Sequence, residues 1–226
     1  MLRWQNHEQA WIPPEEFIPV AEESGLIFAI GDWVLQHAIR QLKQWQSHDW
    51  ARQTGFMAIN ISPRQFHQAD FVDKIRRMLD DNNVEPEYLK LELTESLLIE
   101  DITGTAAKME ALRELGVRIA IDDFGTGYSS LAYLKQLPID QIKIDKSFVL
   151  ELAENSNDAA IVETIISIAR HLSLGVVAEG VETKEVLETL RHNQCYTFQG
   201  FYFSHPLTSK AFEAFAVRDI KTASAV

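Results

Sequence analysis

Four carboxylates and one amide stand where they could hold divalent metal. Glu92, Asp122, Asp123 and Glu179 lie at the ends of short apolar runs, and Asn60 does the same in the run 56–61 (FMAINI). Such oxygen donors are hard ligands and suit Mg²⁺ or Mn²⁺ better than a thiolate-seeking metal. Gathered in a low-dielectric interior without counter-charge, these carboxylates could not stay ionised. Lys143, at the end of another apolar run, offsets only one charge. One or two divalent cations would resolve the rest. Adjacent Asp122 and Asp123 can place one ligand on each of two ions. A pair of ions about 3.5–4 Å apart stabilises both the attacking and the leaving oxygen in phosphoryl chemistry. The seven histidines show no zinc-like spacing such as HExxH.

The elements that must position these groups alternate along the chain. Candidate strands are 56–61, 89–93, 117–121, 141–145, 175–179 and 196–200. Candidate helices are 14–23, 30–49, 67–81, 105–115, 128–136, 157–173, 183–193 and 208–217. This alternation implies βαβ units and parallel pairing. Within the strands, Leu89, Leu91 and Leu93 oppose Lys90, Glu92 and Thr94; Ile119 and Ile121 oppose Ala120 and Asp122; Ile142 and Ile144 oppose Lys143 and Asp145. A doubly wound parallel sheet would be apolar on both faces. A β/α barrel packs helices outside and gathers polar groups at the C-terminal mouth. One interior collecting Asn60, Glu92, Asp122, Lys143, Glu179 and Gln199 is therefore expected. An open sheet with these groups facing solvent is the alternative.

The 226 residues suit a single domain, 1–226, with a short C-terminal tail from about 218. The net charge of −12 disfavours long nucleic acids, which bind through phosphate neutralisation. No apolar run approaches the roughly 20 residues of a membrane span, so no membrane contact is expected of this segment. The lone Cys195 excludes an intramolecular disulfide, which fits a reducing compartment. It reads as a core residue. Trp33, Trp45 and Trp50 at helical spacing read as packing.

Six motifs follow in order: Asn60-Ile61-Ser62 with Gln65, Glu92-Leu93-Thr94-Glu95, the run Asp122–Ser130 (DDFGTGYSS), Ile142-Lys143-Ile144-Asp145, Ala178-Glu179-Gly180-Val181-Glu182 and Gln199-Gly200-Phe201. Together they resemble the signature of EAL domains, the cyclic di-GMP phosphodiesterases of bacterial signalling, from Leu2 to about Leu207. The resemblance implies metal-dependent hydrolysis of cyclic di-GMP to linear pGpG on an incomplete TIM-like (β/α) barrel. It makes Asn60, Glu92 and Asp122 ligands of a first ion, with Asp122 bridging to a second beside Asp123 and Glu179. Lys143 would position and activate the attacking water, and Glu179 would serve as general base. Arg3, Gln199 and Asp145 would contact substrate, Arg3 through a phosphate. Glu95 would brace the loop carrying Phe124, Gly125, Thr126 and Gly127 and couple it to a homodimer. A cytoplasmic setting follows, alone or behind upstream sensory or cyclase domains of a membrane-anchored protein.

Plainer readings stand beside these. Glu95 could cap the helix that follows it. Asp145 could be only the salt-bridge partner of Lys143. Gly125 and Gly127 could serve turn geometry alone, and Arg3 could be a surface residue. The sequence also departs from the family pattern. Leu2-Arg3-Trp4 match the tail of the family's Glu-Ala-Leu-Leu-Arg-Trp, and Met1 falls on its third residue. The name-giving glutamate, another first-ion ligand, has no counterpart. The expectation is a chain lacking the first barrel strand and most of the second, with little activity until the upstream hairpin is restored. A non-catalytic cyclic di-GMP receptor or interaction module is the alternative function.

Overall fold

The structure, a computed structural model, describes residues 2–48, 50–51, 56–97, 101–127, 134–152 and 154–223, with side chains through 217. The chain divides into two compact units, Met1–Leu89 with Thr208–Val226, and Lys90–Leu207.

In the first unit, β1 (Trp4–Gln5) pairs antiparallel with β2 (Trp11–Ile12). Trp4, the last residue of the Leu2-Arg3-Trp4 match, lies in this small hairpin. Helix α1 (Pro14–Ser24) starts on Pro14 and ends at Gly25, whose φ of +77° makes the left-handed cap. Helix α2 (Leu26–Trp45) buries Ile27, Leu35, Ile39 and Leu42. Strand β3 (Met57–Ile61) buries Ile59 and Ile61 and exposes Ala58 and Asn60, the alternation read from the sequence. Helix α3 (Pro63–Phe66) opens with a reciprocal capping box between Ser62 and Gln65. It is followed by α4 (Phe71–Asn82), the helix expected over 67–81, which starts four residues later than expected. The C-terminal helix, Ser209–Ala223, continues beyond the expected 217. Trp45 and Trp50 pack against Phe212, whereas Trp33 is exposed and packs only at the surface, tilted against His37.

The second unit holds β4 (Leu89–Thr94), which begins at its boundary, β5 (Arg118–Phe124), β6 (Gln141–Ile144), β7 (Gly175–Glu179) and β8 (Phe198–Gln199). All four pairings are parallel, and spatial order follows chain order. A doubly wound sheet reverses direction at a switch point; these five strands do not. Crossovers are made by α5 (Ile102–Leu115), α6 (Lys146–Val149), α7 (Ser156–His171) and α8 (Lys184–His192). Each start is encoded locally: Asp101, Asp145, Asn155 and Thr183 accept a backbone N–H from the first turn they cap. The helix expected over 128–136 lies largely outside the described residues, as do Tyr128, Ser129 and Ser130. Leu91, Ile119, Ile121, Ile142, Ile144 and Ala178 form the fully buried seam of the sheet, and Cys195 joins the core. Among the described residues no helix is long and apolar enough to cross a membrane.

Candidate active site

Strand pleating in β4, β5, β6 and β7 delivers Glu92, Asp122, Lys143 and Glu179 to one place. Lys143 is the hub. Its Nζ lies 2.6 Å from Glu179 Oε1, 2.9 Å from Asp122 Oδ1 and 3.0 Å from Glu92 Oε2. Glu92 and Asp122 are 8% exposed and Lys143 4%. Burial acts to lower the Lys143 pKa, but Glu92, Asp122 and Glu179 outweigh it and hold the ammonium well above the ordinary lysine value. The carboxylates feel the opposite pressure. Burial pushes Glu92 and Glu179 up from the usual glutamate value despite Lys143, and the Asp122 charge pushes the same way.

Asp123 corrects the strand parity. Simple alternation would point it away from Asp122. Instead the β5–β6 register breaks between Ile121 and Phe124, and Asp123 adopts a φ of +52°. A bulge of this kind re-aims a side chain. One carboxylate oxygen each from Asp122, Asp123 and Glu179 then fall within 4.8 Å of one another. Burial, Asp122 and Asp145 all raise the Asp123 pKa. Four carboxylates against one ammonium leave the cluster short of positive charge. Hard oxygen donors at this spacing could hold a metal ion.

Asp145 does not pair with Lys143, whose ionic partners among the described residues are Glu92, Asp122 and Glu179. Its carboxylate caps α6 by accepting from Ser147 N at 2.9 Å and from Ser147 Oγ, and it faces Asp123. Burial would raise its pKa, yet these hydrogen bonds outweigh burial and hold it below the usual aspartate value.

Glu95, buried just past β4, accepts the N–H groups of Gly125 at 3.0 Å and Gly127 at 3.3 Å. Gly125 needs its φ of +102° and sits against Phe148 and Ile165. Thr126 Oγ1 donates to the Asp123 carbonyl at 2.8 Å, and Phe124 is buried. Gln199 is exposed at the end of β8, one register step beyond Ala178–Phe198 and opposite Glu179. Asn60 and Arg3 are exposed residues of the first unit.

A further polar group on β4, Lys90, is not among the residues expected from the sequence to form a site. Lys90 Nζ donates to Gln141 Oε1 at 2.7 Å, and Asp140 accepts the Ile119 N–H at 2.7 Å. Burial and the neighbouring Arg118 lower the Lys90 pKa to about 8. The signal was present, because Lys90 shares the parity of Glu92.

A match to the EAL domain profile covers residues 1–206. The chain belongs to the EAL domain family. MucR of Pseudomonas aeruginosa, named a bifunctional diguanylate cyclase/cyclic di-GMP phosphodiesterase, is 44% identical over 213 residues, which are 93% of this chain and 30% of MucR. NbdA of the same organism, named a cyclic di-GMP phosphodiesterase, is 42% identical over 217 residues, 95% of this chain and 27% of NbdA. The EAL chain thus spans less than a third of either relative. A solved structure, the PaMucR phosphodiesterase in complex with c-di-GMP, matches with a TM-score of 0.90 at 43% identity, covering 94% of this chain and 85% of that one. The fold of this EAL domain is accordingly an incomplete TIM-like (β/α) barrel, the class expected from the sequence.

Proposed function

We propose that this EAL domain hydrolyses cyclic di-GMP to linear pGpG, using two divalent cations, Mg²⁺ or Mn²⁺. The observation that carries the reading is the convergence of Asp122, Asp123 and Glu179 oxygens within 4.8 Å, with Lys143 paired to Asp122 and Glu179. Bound there, the cations would supply positive charge to the phosphoryl oxygens and make water easier to deprotonate. The chain's own groups do the rest. Glu92 and Asp122 would hold one ion, and Asp122, Asp123 and Glu179 the other. Lys143 orients the attacking water through its ammonium. Glu179 accepts the water proton. The water oxygen bonds to phosphorus, the P–O3′ bond breaks, and the departing 3′ oxygen takes up a proton. Gln199 would hold the substrate. The roles of Asn60 and Arg3, which lie in the first unit, rest on the family resemblance alone, as do the homodimer, upstream sensory or cyclase domains and a cytoplasmic setting.

The test is chromatography of cyclic di-GMP incubated with Mg²⁺ or Mn²⁺ and either the printed chain or the full product of its gene. Appearance of pGpG in either, abolished by EDTA, is the expected result. Dinucleotide binding without product in both would replace the hydrolase with a receptor.

A further inference from the structure

Lys143 pairs with carboxylates that would take up metal. Three ion pairs of 2.6–3.0 Å tie its Nζ to Glu179, Asp122 and Glu92. Asp122 and Glu179 are also two of the three residues whose oxygens converge within 4.8 Å. A carboxylate oxygen that holds an ammonium at this distance has less electron density to give to a cation. A divalent ion at the cluster would, in addition, repel the ammonium strongly at such short range in a poorly solvated interior. Lysine is well suited to yield, because its charge sits on a four-carbon stem with several rotamers.

We propose that Lys143 is an internal counter-ion that competes with the divalent cations: it keeps the buried carboxylates compatible with folding, and each ion that binds must displace it from them. The inference rests on the two-cation reading above. It adds that Lys143 sets metal affinity downwards, in contrast to the ligands, whose loss weakens binding. Competition of two cations for shared ligands is a negative coupling between them, and removing one strengthens the other. Such couplings typically change affinity about 5–150-fold.

The experiment is calorimetric titration of Mn²⁺ into wild type, Lys143→Met and Lys143→Arg, with melting followed in EDTA and in saturating Mn²⁺. Lys143→Met keeps the stem and removes the charge. It should bind Mn²⁺ roughly ten-fold or more tightly than wild type, within the range of such couplings. It should also melt lower in EDTA and gain more from Mn²⁺. Lys143→Arg keeps the charge and should bind no more tightly than wild type. A Met variant that is unfolded in EDTA but folds when Mn²⁺ is added supports the inference equally. Mn²⁺ affinity in the Met variant equal to or weaker than in wild type overturns it, as does a Met variant that fails to fold even with Mn²⁺. Absence of any Mn²⁺ binding in all three proteins would overturn the two-cation reading itself, an outcome distinct from equal binding in all three.

Discussion

The carboxylate of Glu95 accepts the backbone N–H of Gly125 at 3.0 Å across thirty residues of sequence. The same oxygen also accepts the Gly127 N–H, at 3.3 Å. One buried side chain at the end of β4 thereby fixes the turn that follows Asp122 and Asp123. Loss of hydrogen bonds to a charged group costs about 1.5–3 kcal/mol. Glu95→Ala should destabilise the protein by about that amount in urea unfolding. Stability equal to wild type would remove Glu95 as a brace.

The bulge at Asp123 makes a second expectation. Asp122 pairs with Lys143 and shares the convergent oxygens, whereas Asp123 contributes only to the latter. Asp122→Ala should therefore disturb both metal-binding steps, and Asp123→Ala only one. Calorimetric stoichiometry with Mn²⁺ distinguishes them. Two intact binding steps in Asp122→Ala would contradict the assignment.

Lys90 predicts a pH dependence. Its folded pKa is lowered from 10.5 to about 8. Between those values the unfolded chain binds more protons than the folded one, so stability rises with pH. Below pH about 8 the penalty for burying the charge is fully present. The stability difference, wild type minus Lys90→Met, should climb between pH 8 and pH 10.5 and be flat from pH 6 to 7. Denaturant titrations across this range measure it. A flat difference throughout would show that Lys90 titrates normally.

Gly200 carries a steric prediction. A Cβ there would run into the backbone of Val181, whose N–H donates to the Gln199 carbonyl at 3.1 Å. Gly200→Ala should cost about 1–3 kcal/mol, as overpacking does. It should also weaken dinucleotide binding through Gln199. A variant with unchanged stability and unchanged binding would show that the two loops can part without consequence.

Much of this was legible from period-two alternation. Glu92, Asp122 and Lys143 share an inward parity, and their strands lie in chain order. Asp123 joins the cluster on the strength of its motif and not of parity, because plain alternation assumes regular pleating and a single φ of +52° breaks it. Asp145 was hard to place for a similar reason. Its carboxylate serves the first turn of α6, a local demand that alternation in β6 cannot reveal. Trp33 followed helical spacing yet lies on the outer face of α2, since periodicity groups residues without saying which group faces the core.

The central claim is that Lys143 serves the chemistry while the carboxylates hold the ions. Its most direct test is to measure pGpG formation and cyclic di-GMP affinity side by side in wild type and Lys143→Ala, in whichever form turns over, at saturating Mn²⁺. Turnover should fall about 10²–10⁴-fold, the range for a lost proton-transfer or water-positioning group, with dinucleotide affinity little changed and Mn²⁺ still bound. Turnover close to wild type in Lys143→Ala would contradict the account.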